Sequence, residues 1–123
     1  MKKTPINPSG TGWAQACAVD QAERLVFIAG QVPQGKDGVI PSDITEQCRM
    51  AWANVVHQLD TAGLKLENLV SVRVYLTDRQ YIPEMIAVRN EVLGMRAEPA
   101  FTVVLAGLYD ARWCIEIETV AAA

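Results

Sequence analysis

The sequence predicts an α+β fold, a single mixed β-sheet with two helices on one face. Three observations carry that expectation. Apolar residues recur in three- and four-residue steps from Ile44 to Ala62, strict alternation runs from Leu69 to Thr77, and Trp113 to Val120 sets two carboxylates at alternate positions of an apolar segment. The first spacing is that of a helix with one buried stripe, and the other two are those of strands with one buried face. A chain of 123 residues, 50% hydrophobic and 20% charged, holds one core and is short for two, so residues 1–123 are read as one domain.

Taken in order, Gln15–Val19 and Arg24–Ala29 read as short strands joined through the polar stretch Asp20–Glu23 as a hairpin. Gly30-Gln31-Val32-Pro33 ends the second strand, and the stretch to Pro41 is a loop by composition. The first helix follows, its stripe formed by Ile44, Cys48, Ala51, Trp52, Val55, Leu59 and Ala62. Asp43, three residues before Glu46, is placed to cap its free N–H groups, and Gly63 to end it. Leu69–Thr77 is the clearest strand, with Val70, Val72, Val74 and Leu76 on one face and Ser71, Arg73 and Tyr75 on the other. A second helix spans Ile82 to Leu93, with Pro83 in its first turn and Gly94 closing it. Two strands end the chain, one opened by Pro99-Ala100-Phe101-Thr102 and one in which Ile115 and Ile117 face away from Glu116 and Glu118.

Phe101, Val103 and Leu105 alternate with Thr102 and Val104, so the strand that Pro99-Ala100 opens carries apolar groups on both sides. A lone subunit would expose one of those sides, and self-association is the economical way to cover it. Arg73, Tyr75 and the paired glutamates are then candidates for the interior of a homo-oligomer.

Composition narrows the chemistry. A net charge of −3 with eleven scattered Lys and Arg residues gives no field for a phosphate backbone, which argues against nucleic acid as partner. No apolar run reaches membrane-spanning length, and no leader pattern follows Lys2 and Lys3, so a soluble, cytoplasmic protein without membrane partners is expected. Cys17, Cys48 and Cys114 lack a CxxC spacing and read as reduced, packed thiols. His57 is the only histidine, which disfavours a zinc hydrolase and a Ser-His-Asp triad. Glu116 and Glu118 remain as an acid/base candidate, against the plainer reading of a strand with one solvated face.

Leu25-Val26-Phe27-Ile28-Ala29-Gly30-Gln31-Val32-Pro33, Ala62-Gly63-Leu64, Val74-Tyr75-Leu76-Thr77-Asp78, Pro99-Ala100 and Ile115-Glu116-Ile117-Glu118-Thr119-Val120-Ala121 occur in an order and spacing that resemble the Rid (YjgF) family of reactive intermediate deaminases, also labelled endoribonuclease L-PSP-like. The resemblance covers nearly the whole chain from Gly12 onward. It implies a chorismate-mutase-like fold, a homotrimer packed around a central barrel, and a small-molecule metabolite bound at the subunit interfaces. It also implies hydrolysis of imines or enamines, such as 2-aminoacrylate, to a carbonyl compound and ammonia without cofactor or metal.

Mapped on this resemblance, the water-activating glutamate is Glu116. The arginine that grips a substrate carboxylate is replaced by Phe101, which carries no charge and no paired donors. The neighbouring family cysteine becomes Val103, a serine becomes Ala29 beside Gly30, and a tyrosine becomes Trp13. The resemblance therefore implies a drier cleft of Trp13, Ala29, Gly30, Phe101 and Thr102 around Glu116, suited to a less charged or aromatic ligand. Arg73 either supplies the missing positive charge or bridges to Glu116 or Glu118 as a structural ion pair. Two readings follow: an imine or enamine deaminase with substrate choice altered from 2-aminoacrylate, or a non-catalytic metabolite-binding trimer using the same cleft. RNA cleavage has the least physical support, since no aromatic residues interleave with basic ones.

Overall fold

A computed structural model describes residues 1–123. The first helix, α1, runs from Ile44 to Thr61 and is set by the stripe that its sequence encodes: Cys48, Ala51, Trp52, Val55 and Leu59 are all buried. Asp43 caps it, its carboxylate accepting the Glu46 N–H at 3.0 Å. At the other end Gly63 takes φ +76°, and the N–H groups of Gly63 and Leu64 return to the carbonyls of Asp60 and Leu59. That double closure satisfies carbonyls the helix would otherwise leave open. The second helix, α2, spans Ile82–Leu93 with Pro83 in its first turn and Gly94 at its end.

Six strands form one sheet: β1 (Lys2–Pro8), β2 (Ala14–Asp20), β3 (Leu25–Gln31), β4 (Leu69–Leu76), β5 (Ala100–Leu105) and β6 (Ile115–Ala122), in the order β1-β2-β5-β4-β6-β3. β4 lies between β5, which runs parallel to it, and β6, which runs antiparallel. The β2–β5 contact is also parallel and the remaining pairs are antiparallel, so the sheet is mixed as expected. Parallel neighbours require a crossover rather than a tight turn, and α2 supplies it between β4 and β5. Both helices pack on one face, where Val72, Val74, Leu76, Ile115 and Ile117 meet Trp52, Val55, Leu59, Met85 and Val88 in a single apolar cluster.

Two expectations are corrected. The strands flanking Asp20–Glu23 do not form a hairpin: β2 pairs with β1 and β5, and β3 pairs with β6. The connecting segment instead crosses toward the far side of the sheet, where the N–H groups of Glu23 and Arg24 both reach the Ala123 carbonyl at 2.9 Å. A short polar stretch between apolar runs resembles a turn, but pairing is decided by which strands bury a common face, and β3 shares its face with β6. The second correction adds β1. Lys2–Pro8 carries two lysines and two prolines and no apolar alternation, features of a strand at a sheet edge that needs a partner on one side only.

One buried polar residue ties the helix layer to the sheet. Gln47 is 1% exposed; its Nε2 donates to the carbonyls of Pro41 and Arg112, and its Oε1 accepts the Cys114 N–H at 2.7 Å. Leucine at this position would leave three backbone groups without partners. Gln47→Leu is expected to lower unfolding free energy by about 2–3 kcal/mol, read from urea denaturation. The three cysteines are free, and burial pushes the Cys48 thiol up to about 12.

Candidate functional site

The alternation in β6 does what its sequence requires: Ile115 and Ile117 are fully buried toward the helices, while Glu116 and Glu118 point to the helix-free face. Register brings Tyr75 opposite Glu116 and Arg73 opposite Glu118. The two glutamates nevertheless have different surroundings. Glu118 accepts a hydrogen bond from the Tyr75 hydroxyl at 3.0 Å and lies 3.6 Å from the Arg73 guanidinium. The Glu116 carboxylate has no hydrogen bond or ion pair within the chain, although its backbone lies in the β4–β6 ladder. Burial, and then the neighbouring Glu118 charge, push its carboxyl above the ordinary glutamate value.

The space that Glu116 occupies is kept open by Gly30, which follows the point where the β3–β6 register becomes irregular. A Cβ at residue 30 would sit 2.7 Å from Cδ of Glu116, too close for any real contact. Gly30→Ala should therefore displace the carboxylate while leaving the fold intact. The expected result is a shifted Glu116 side-chain carboxyl resonance with a melting temperature close to that of the parent.

Beside the glutamates, the helix-free face forms a shallow concavity of about 430 Å³ lined by Phe27, Ala29, Ser71, Arg73, Glu118 and Val120, among others. Thr102 is exposed on the same face, in register with Arg73. Thus Ala29, Gly30, Arg73, Thr102 and Glu116 lie on one side of the sheet. Arg73 engages Glu118, the bridging alternative of the two proposed for it, and its side chain remains 53% exposed.

Phe101 is not with them. Its register partner is Val72, a core residue, and its ring packs at the margin of the helix-side cluster beneath the guanidinium of Arg89, 4.9 Å from ring centroid to Cζ. Within one chain the sheet itself separates Phe101 from Glu116. Trp13 lies next to Ala14, the residue of β2 that is in register with Ala100 of β5. A cleft containing Phe101 together with Glu116 consequently needs two copies of the chain.

Sequence reasoning missed Arg89. It is 8% exposed, the only charged residue in the buried set. The signal was present: Met85, Arg89 and Leu93 are spaced by four on α2, which puts the arginine on the same stripe as two core residues. No group of three or more His, Cys, Asp or Glu side chains converges to hold a metal ion. No helix is long and apolar enough to cross a membrane.

Comparison with known proteins follows the same lines. A family model described as Endoribonuclease L-PSP matches residues 6–123. Protein mmf2, mitochondrial, of Schizosaccharomyces pombe is 36% identical over 129 residues, covering 99% of each chain. A RutC family protein of Pyrococcus horikoshii is 34% identical, covering 95% of this chain and 88% of its own. Among solved structures, the Rid-family protein YyfB of Yersinia pestis superposes with a TM-score of 0.86 at 23% identity over the full length of both chains, a likeness of fold. TdcF of Escherichia coli, solved with bound serine, superposes with a TM-score of 0.77 at 25% identity, covering 90% of this chain and 87% of that one. With the sheet order, the helix layer and the glutamate pair in place, these matches establish that the chain belongs to the Rid/YjgF family.

Proposed function

We propose that this protein hydrolyses an imine or enamine metabolite to the carbonyl compound and ammonia, with substrate choice altered from 2-aminoacrylate, and that Glu116 handles the water. The observation that carries this reading is the state of Glu116: half-buried, unpaired, raised in pKa and given room by Gly30, while Glu118 beside it is occupied by Tyr75 and Arg73. A carboxylate of this kind can take a proton from water as the water oxygen bonds to the imine carbon. The electron pair of the C=N π bond moves to nitrogen, which is protonated. Collapse of the resulting carbinolamine breaks the C–N bond, releases ammonia and leaves the carbonyl product, the proton balance passing through the same carboxyl group. Neither step requires a cofactor or metal.

A homotrimer with clefts between subunits is part of the proposal. Its support is the helix-free face, where Phe27 is 75% exposed beside Ala29 and Val120, an apolar surface suited to cover by another copy. The opposite placement of Phe101 and Glu116 adds to this, because only a neighbouring subunit can bring such residues into one cleft. The reaction class is supported by TdcF of Escherichia coli, a proposed reactive intermediate deaminase that is 34% identical over 55 residues, 44% of this chain. Cytoplasmic residence fits the three free thiols.

The test is release of ammonia from a panel of imines generated in solution, acidic and neutral, aliphatic and aromatic. Acceleration over the uncatalysed reaction by the parent protein, lost in Glu116→Gln, is the expected result. Binding of panel members without any acceleration would overturn the catalytic reading in favour of a metabolite-binding trimer. That second reading draws on Trp13, Ala29, Phe101 and Val103, which stand where the family resemblance implies more polar groups.

A further inference from the structure

Glu116 and Glu118 are the same residue type two positions apart on one strand, and the chain treats them unequally. β4 takes hold of Glu118 twice: the Tyr75 hydroxyl donates to its Oε1 at 3.0 Å, and Nη1 of Arg73 lies 3.6 Å from the same oxygen. The Glu116 carboxylate receives neither, although Tyr75 is its own register partner. The phenol reaches past the residue opposite to the diagonal one, a span that a long side chain covers. The remaining surroundings of Glu116 bring no second charge. β3 carries no titratable side chain, Gly30 is the residue against the carboxylate, and the other titratable group on its own segment is Cys114, two positions before it.

From this geometry we propose that Tyr75 and Arg73 are positioning residues that act on Glu116 through Glu118, confining one carboxylate so that the other is the group left to exchange a proton. The inference rests on the hydrolytic reading above and supplies what that reading lacks, a reason why one glutamate of the pair handles water and its twin does not. Two adjacent carboxyls with equal surroundings titrate as a pair, and neither has a defined role. Donors that touch only one of them break the tie. Held still by Tyr75 and Arg73, Glu118 presents a like charge that cannot turn away, and this charge adds to burial in raising the Glu116 carboxyl. Arg73 is thereby occupied within the chain, and its role in the reaction is indirect.

The experiment labels protonated carboxyls with a water-soluble carbodiimide and glycinamide in mildly acidic buffer, and locates the label by fragmentation mass spectrometry. In the parent protein Glu116 is expected to be modified and Glu118 spared. Tyr75→Phe keeps the ring and removes only the hydroxyl. Combined with Arg73→Met, it is expected to spread the label to Glu118. Glu118→Gln is expected to move the titration of the Glu116 carboxyl carbon, followed by NMR, down toward the ordinary glutamate value, and the acid limb of ammonia release with it. Tyr75→Phe should lower kcat for ammonia release roughly tenfold, the worth of one hydrogen bond to a charged group, and leave KM in place.

Equal labelling of the two glutamates in the parent, a labelling pattern unchanged in the double variant, or a Glu116 titration that Glu118→Gln leaves where it was overturns the inference. So does a Tyr75→Phe protein that only melts earlier or falls apart in sedimentation while Glu118 stays spared, since Tyr75 is then a structural contact. Failure of the hydrolytic reading is recorded separately: ammonia release absent from the parent, with labelling still governed by Tyr75 and Arg73, sinks catalysis and leaves the positioning role standing.

Discussion

Glu116→Gln should lower ammonia release from the best imine substrate by roughly 10²–10⁴-fold, the range that a positioned proton-transfer group supplies, with ligand affinity changed little. Glutamine keeps the shape of the side chain and removes only the ability to exchange a proton. Since the Glu116 carboxylate makes no hydrogen bond or ion pair within the chain and the backbone is unchanged by the substitution, nothing structural is lost. The acid limb of the rate profile should have its midpoint above the ordinary glutamate value, because burial and Glu118 hold the proton on. Stability carries the same signature with a definite sign. A carboxyl whose folded-state pKa is raised releases its proton more readily in the unfolded chain, so stability declines as pH rises from the ordinary glutamate value through the raised one. It stays lower above that window. The glutamine variant should lose this decline, which a melting-temperature series in pH would record. A variant that retains ammonia release within twofold of the parent would remove Glu116 from the mechanism.

Trp52→Ala is expected to be the most damaging single truncation, lowering unfolding free energy by about 3–5 kcal/mol. The indole is 1% exposed in the centre of the apolar cluster, between α1 and the helix-covered face of the sheet. No neighbouring element can move in to fill the space without breaking the register of β4 with β5 and β6. Urea denaturation reads the loss. A change below about 1 kcal/mol would mean that the layer collapses onto the cavity, contrary to close packing.

How far the residues announced this molecule depends on what kind of order each one serves. The stripe from Cys48 to Leu59, the alternation of Val72, Val74 and Leu76, and the split between Ile115/Ile117 and Glu116/Glu118 are local periodicities, and all appear as read. The caps at Asp43 and Gly63 are equally local. What local pattern could not supply was pairing between distant segments. β1 has no pattern to recognise, and β2 with β3 had an attractive short connection that the completed sheet does not use as a turn.

The site divides in the same way. Glu116 and Gly30 stand in contact although 86 positions apart, a proximity that follows only once β3 is known to lie beside β6. Phe101 was legible as a residue but not as a position, because the face it occupies depends on its register with Val72. Arg89 went unread because a charged residue on a helix is usually solvated, and only its four-residue spacing from Met85 and Leu93 betrays burial.

The pairing of Leu25 with Ala122 and of Phe27 with Val120 has a consequence for biosynthesis. An emerging polypeptide can coil α1 and α2 early, but the edge begun near residue 25 finds its neighbour only after β6 has left the ribosomal tunnel. Until then Ile28 and the flank of β4 are uncovered hydrocarbon, so the nascent protein should be a client for chaperones that hold greasy segments apart, and translation arrested before β6 should yield aggregate in place of a smaller folded product.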